Sequence, residues 1–171
     1  KSSHTIEKYL GYLEESFIFF SLSRFSYKLK EQLSSIKKIY CVDNGFVHAK
    51  AFNSSQNSGR LYENAVAIEL KKQELNGKIN LYYWKNQQQE EVDFVVKEGI
   101  KVKQLIQVCF NMTNLETKNR EIRALIKAGK DLKCKNLLII TDDIEKEEKE
   151  EWFGEKANIK YLPLWKWLLA Q

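Results

Sequence analysis

The sequence predicts an α/β domain, and three features point to it. Apolar residues recur at helical spacing over residues 5–15, 60–73 and 115–129, and short runs rich in β-branched and aromatic residues alternate with them. The run Leu137-Leu138-Ile139-Ile140 is apolar throughout, the pattern of a parallel strand buried on both faces. With 43% hydrophobic and 12% aromatic residues among 171, the chain can build one core, plus a fragment of a second domain, without disulfide staples. Disordered, collagen-like and linker-dominated chains are excluded.

Each element has its own signal. Ile6, Tyr9, Leu10 and Leu13 place a helix over residues 5–15, with Ser3 or Thr5 as cap. Residues 16–27 (SFIFFSLSRFSY) read as β-structure, with Ser23-Arg24 at the tip or flank of a short hairpin. A helix followed by a β-ribbon is half of a winged helix, so residues 1–35 read as the end of such a domain and residues 36–171 as a second one. Residues 38–45 (KIYCVDNG) form an apolar strand closed by a turn, residues 46–52 a short helical segment, and residues 53–59 a polar loop.

From Arg60 onward the alternation becomes regular. A helix over residues 60–73 is followed by a turn at Asn76-Gly77, strands over 80–85 and 91–96, a turn at Glu98-Gly99 and a strand over 105–110. Thr113 or Asn114 caps a helix that stops near Gly129, and a strand over 136–141 follows. The acidic stretch 142–155 reads as a solvated helix; a strand at 159–162 and a helix at 163–170, opened by Pro163, end the chain.

Charge and cysteines narrow the function classes. Lys and Arg number 28 against 23 Asp and Glu, a net +5 that permits a polyanion partner and leaves the acidic stretch facing away from it. Cys41, Cys109 and Cys134 are widely spaced, with two histidines beside them, which suggests reduced buried thiols rather than zinc or a disulfide framework. No apolar run approaches the roughly 20 residues that span a bilayer, and no secretory segment follows Lys1-Ser2-Ser3-His4, so a cytoplasmic protein with no membrane role is expected.

Chemistry concentrates around one strand. Over residues 91–96, Glu91, Asp93 and Val95 share a face, and an Asp centred in such a strand is either solvated or tolerated because something uses it. A hairpin brings Gln107 beside Asp93, and Glu63 lies at the border of the apolar face of the preceding helix. Helix Glu, strand Asp, turn, strand and helix in this order resemble the PD-(D/E)xK nucleases, the restriction-endonuclease-like superfamily. The resemblance implies a central mixed sheet flanked by helices, with a winged-helix remnant before it. It also implies Mg²⁺ held by Glu63, Asp93 and Gln107, since phosphodiester cleavage needs hard oxygen ligands and a cation to offset developing charge.

Longer words extend the likeness. Gly59-Arg60-Leu61-Tyr62-Glu63-Asn64, Tyr82-Tyr83-Trp84-Lys85, Glu91-Val92-Asp93-Phe94-Val95-Val96, Leu105-Ile106-Gln107-Val108-Cys109, Asn119-Arg120-Glu121-Ile122-Arg123-Ala124-Leu125 and Pro163-Leu164-Trp165-Lys166-Trp167-Leu168 resemble the C-terminal domain of a bacterial and archaeal AAA+ ATPase family. Thr5-Ile6-Glu7-Lys8-Tyr9-Leu10 and the KIYCVDNG segment resemble what precedes that domain. The sequence has no G-x-x-x-x-G-K-[ST], so the likeness implies an ATPase module elsewhere in the same full-length chain as its partner.

Two departures shape the functional expectation. Gln107 is neutral where the resemblance calls for a carboxylate, and Cys109 stands in place of the lysine. Arg120 or Arg123, with Lys103 and Lys85 behind them, are the candidates to replace that cation, Arg120 first. Two readings follow: a nuclease-like DNA-binding or interaction module that has lost catalysis, or an active Mg²⁺-dependent DNA endonuclease with a relocated cation. Whether the chain is an enzyme stays open between them. Lys1, His4 and Lys8 at the first helix, with Lys85, are the candidate nucleic-acid contacts. Trp84, Trp165 and Trp167 read as packing residues.

Overall fold

The computed structural model describes residues 3–50 and 58–171. Helix α1 (Ser3–Glu15) leads into β1 (Phe19–Leu22), α2 (Leu29–Ser34), β2 (Lys38–Cys41) and α3 (Asn44–Lys50). The expected polar loop lies largely in 51–57, outside the described residues. Beyond it come α4 (Ser58–Leu75), β3 (Asn80–Lys85), β4 (Glu91–Glu98), β5 (Lys101–Val108), α5 (Leu115–Asp131), β6 (Leu137–Thr141), β7 (Lys146–Trp152), β8 (Glu155–Pro163) and α6 (Leu164–Leu169).

Six strands make one mixed sheet in the order β3-β4-β5-β6-β8-β7. Tight turns make β3, β4 and β5 antiparallel, and Gly99, at φ 55°, supplies the left-handed residue in the β4–β5 turn. Helix α5 is the crossover that lets β6 lie parallel to β5, and β8 is parallel to β6. Every residue of β6 is buried, as its unbroken apolar run demands. Below one face, Val95, Leu105, Ile139 and Tyr161 pack on Leu125 of α5; on the other, Phe94, Ile106 and Ile140 pack on Val66 and Leu70 of α4 and Trp167 of α6. Cys41, Cys109 and Cys134 are buried free thiols. Asn114 caps α5, its side chain accepting from the Thr117 N–H at 3.0 Å.

Two expectations are corrected. Residues 16–27 do not fold back on themselves: β1 pairs antiparallel with β2, Phe19 opposite Cys41. Ser23-Arg24 has no residue suited to a tight hairpin turn, and the chain instead runs on to the edge of the main sheet. There the Phe25 N–H donates to Tyr83 O at 2.7 Å and the Tyr83 N–H to Ser23 O at 3.1 Å.

The acidic stretch is a strand, not a helix. Residues 145–151 (EKEEKEE) contain no apolar side chain, so a helix there has no stripe to bury. As β7 they use their backbone along β8, while Trp152 at the end packs on the core. Phe153 and Gly154, at φ 46° and 80°, make the two-residue turn. The register sets Glu147 against Lys160 and Glu151 against Lys156, and the charged outer edge discourages pairing with another sheet.

The β1–β2 ribbon is fastened by Asn64 of α4. Its side-chain oxygen accepts from the Cys41 N–H at 2.9 Å, and its amide donates to Cys41 O at 2.9 Å and to Asn44 Oδ1 at 2.8 Å. Replacement of this buried residue by alanine strands the Cys41 N–H and C=O away from water. Asn64→Ala is therefore expected to lower unfolding free energy by about 1–3 kcal/mol in urea titrations, with a much smaller change refuting the clamp.

Candidate functional site

The start of β4, the end of β5, the first turns of α4 and α5, and β2 meet at one end of the sheet. Asp93 takes its place from β4, and the pairing of Phe94 with Ile106 sets Gln107 across from it on β5. Glu63 projects from the second turn of α4. The three residues expected from the sequence thus converge, around a cleft of about 640 Å³ that also touches Arg60, Glu91 and Arg120.

At the centre stands a residue that the sequence reading did not place there. Lys38 Nζ lies 2.8 Å from Glu63 Oε1, 2.8 Å from Asp93 Oδ1 and 2.9 Å from Glu91 Oε1. An ammonium has three N–H donors, and three carboxylate oxygens face it. The phenol of Tyr40, two residues on along β2, donates to Glu63 Oε1 at 2.7 Å. The rings of Tyr40 and Tyr83 have centroids 6.0 and 5.8 Å from Nζ, near enough for weak cation–π attraction.

Burial sets the electrostatics. It opposes charge on Lys38, but Asp93, Tyr40, Glu63 and Glu91 together outweigh it and hold the ammonium pKa well above the ordinary lysine value. Burial, and then the neighbouring Glu63, push Asp93 up to about 7, against the pull of Lys38 and the Val108 N–H, which donates to Asp93 Oδ2 at 3.0 Å. Burial also raises Glu91, yet Lys38 and Lys85 prevail and leave it below the ordinary glutamate value. Burial and Glu63 hold the Tyr40 phenol well above its usual range, so it stays a donor.

The two positions that depart from the pattern the sequence resembles are both engaged by neighbouring groups. Gln107 Oε1 accepts from the Asp93 N–H at 3.2 Å, and its amide donates to Glu121 Oε2 at 2.8 Å. Burial, with Glu121 nearby, pushes the Cys109 thiol up to about 11, so it is neutral near pH 7.

The expected substitutes for the missing lysine are each paired with another carboxylate, Arg120 and Arg123 at the wall of the same cleft. Arg120 spends its charge on Glu121, Nη2 to Oε1 at 2.6 Å, at the cleft wall. Arg123 pairs with Glu90 at 2.6 Å and lies over the Trp152 ring. Lys103 pairs with Glu98 near the β4–β5 turn, and Lys85 reaches Glu91, at 3.3 Å. Among the candidate nucleic-acid contacts, Lys8 is exposed on α1, 5.9 Å from the Tyr12 ring centroid. Lys1 and the side chain of His4 lie outside the described residues. Glu91 could have been found from its i, i+2 spacing to Asp93. Lys38 and Tyr40 share one face of β2, but no local pattern connects them to Glu63.

The family model of a domain of unknown function, DUF4143, matches residues 58–167, and that of a second, DUF8612, matches residues 1–57. The chain is 39% identical over 171 residues to an uncharacterized protein of Methanocaldococcus jannaschii, covering 99% of this chain and 37% of that protein. It is 29% identical over 114 residues to an uncharacterized protein of Haemophilus influenzae, covering 65% of this chain and 26% of the relative. The chain therefore spans well under half the length of these curated relatives. No solved structure matches it.

The raised pKa of Asp93 has a definite sign in stability. Between the ordinary aspartate value of 3.8 and about 7, the folded chain holds a proton that the unfolded chain has released, so this group's contribution falls as pH rises through that window. In thermal melts from about pH 5 to about pH 8, the stability of the unaltered chain relative to Asp93→Asn should decline. A constant difference would place the titration of Asp93 elsewhere.

Proposed function

The chain belongs to the DUF4143 family, and from the site just described we propose that it is a nuclease-like, restriction-endonuclease-type module that engages DNA and has lost most or all cleavage chemistry. It serves a longer chain that carries an AAA+ ATPase, with residues 1–35 as the end of a winged helix, in the cytoplasm. The observation that carries this reading is the use made of Gln107 and Cys109. Both ends of the Gln107 amide are taken up by Asp93 N–H and Glu121, and the Cys109 thiol is buried and neutral. Neither side chain is left for a reacting phosphate.

Glu63, Asp93 and Gln107 would be the magnesium ligands by analogy with such nucleases, and Glu91 adds a further carboxylate. As arranged, they do not fit the ion. The carboxylates converge on Lys38 Nζ at 2.8–2.9 Å, and the Gln107 oxygen is turned to a backbone N–H. Among the described residues, no three His, Cys, Asp or Glu side chains are disposed to hold a metal.

A second reading, an active magnesium-dependent DNA endonuclease, is favoured by the same lysine. Lys38 brings a positive charge to the carboxylates from another element, which is what that reading requires of a relocated cation. Under it, cleavage would be lost in Lys38→Ala.

Two measurements test these readings. A net charge of +5 neutralises few phosphates, so fluorescence polarisation should give weak, sequence-independent DNA binding that falls steeply with salt, by about 0.9 log per log for each phosphate. Plasmid cleavage with Mg²⁺ should be undetectable, and Gln107→Glu with Cys109→Lys should raise it once Lys38→Met is added, since one electrostatic donor is worth about 10²- to 10³-fold in rate. Cleavage that survives Asp93→Ala would remove this site from consideration.

A further inference from the structure

We propose that Lys38 is the resident counter-ion of the carboxylate cluster and excludes a divalent cation for as long as its ammonium is in place. The inference rests on the nuclease-like reading of the cluster, and it concerns what keeps that cluster closed.

Geometry supports it first. Three oxygens from three different side chains lie 2.8, 2.8 and 2.9 Å from one nitrogen. That is the spacing of charge-assisted hydrogen bonds, and a divalent ion drawn to the same oxygens at about 2.0–2.6 Å would need much the same volume. Ammonium and metal are therefore alternatives. Enclosure comes second. The Lys38 side chain keeps 21% of its surface exposed and that of Asp93 keeps 9%, so water screens the contacts only in part. Tyr40 fills the remaining side of Glu63, donating to the oxygen that Lys38 also holds.

Chain order supplies the third support. Lys38 and Tyr40 lie within the 1–57 segment matched by one family model, whereas Glu63, Glu91 and Asp93 lie within the 58–167 segment matched by the other. The counter-ion and the carboxylates thus come from separately recognised segments, joined here by the Asn64 clamp on Cys41 and the Tyr83 hydroxyl on Ile36 O. Lys38 has a flexible four-carbon stem, so its ammonium can leave the cluster by rotamer changes while β2 stays clamped.

The test uses the 171-residue chain and Mn²⁺ alone, with free Mn²⁺ read by electron paramagnetic resonance. Lys38→Met removes the charge and keeps an unbranched stem. It should bind one Mn²⁺ at least about tenfold more tightly than the unaltered chain, and Asp93→Asn in the same background should abolish the gain. Lys38→Met should also melt at lower temperature without metal and recover with Mn²⁺. Equal Mn²⁺ affinity with and without Lys38 overturns the exclusion while leaving a metal-binding, nuclease-like cluster. No binding to either chain overturns the exclusion, since a cluster that takes no metal without Lys38 leaves Lys38 nothing to exclude, and the DNA-engaging reading is then decided by its own binding measurement. Should Lys38→Met not fold, the unaltered chain still decides, through its lysine ammonium NMR signal, assigned by comparison with Lys38→Arg. Mg²⁺ should enter the cluster only as this signal is lost, and one Mg²⁺ bound at the cluster with the signal unchanged refutes the proposal.

Discussion

Lys38 and its three carboxylates form the contact on which the geometry of this end of the molecule depends. Glu63, Glu91 and Asp93 would repel one another if brought together ionised in a half-buried cleft, and the ammonium between them makes their convergence tolerable. Such a group is not a free gain in stability, because each charge is taken partly out of water. Its consequence is conditional: with the lysine present the elements can meet, and without it the remaining carboxylates lack compensation. Asp93 bears the clearest mark of that tension, since burial and Glu63 favour its proton even with Lys38 2.8 Å away.

The rest of the fold can be understood as the means of holding these groups at that spacing. The β4–β5 register sets Gln107 across from Asp93, and Gln107 in turn ties β4 to α5 through Glu121. Helix α4 contributes twice within one turn: Glu63 enters the cluster, and Asn64 secures the strand that delivers Lys38. Adjacent residues on one helix therefore supply the carboxylate and clamp, at Cys41, the strand that carries its counter-ion. Apolar packing of Val66 and Leu70 beneath Phe94 and Ile106 keeps that helix against the sheet.

Gln107 and Cys109 are both taken up by their neighbours in the fold. A glutamate at 107 would face Glu121 without a donor to offer it, whereas the glutamine amide donates to that carboxylate and accepts from the Asp93 N–H. The thiol at 109 joins the core under α5. Both side chains belong to the wall of β5 that stands beside Asp93.

Elements with a strong local signal could be read directly from the chain. The apolar run of β6, the caps and periodicity of α5, the Gly99 turn and the alternation of β4 each depend on residues a few positions apart; the β4–β5 hairpin set Gln107 beside Asp93, and the resemblance to the nucleases joined Glu63 to them. The acidic β7 was not legible, because seven consecutive residues without an apolar side chain carry no periodicity, and only pairing with β8 makes them a strand. Nor was the partner of β1, which follows from the clamp and sheet edge rather than from a turn residue. Lys38 is the sharpest case. It stands 25 positions from Glu63 and 55 from Asp93, and a lysine at the head of an apolar strand looks locally like any solvated charge. Only the folded chain, by burying the carboxylates where β2 crosses them, decides that this lysine has no better place for its charge.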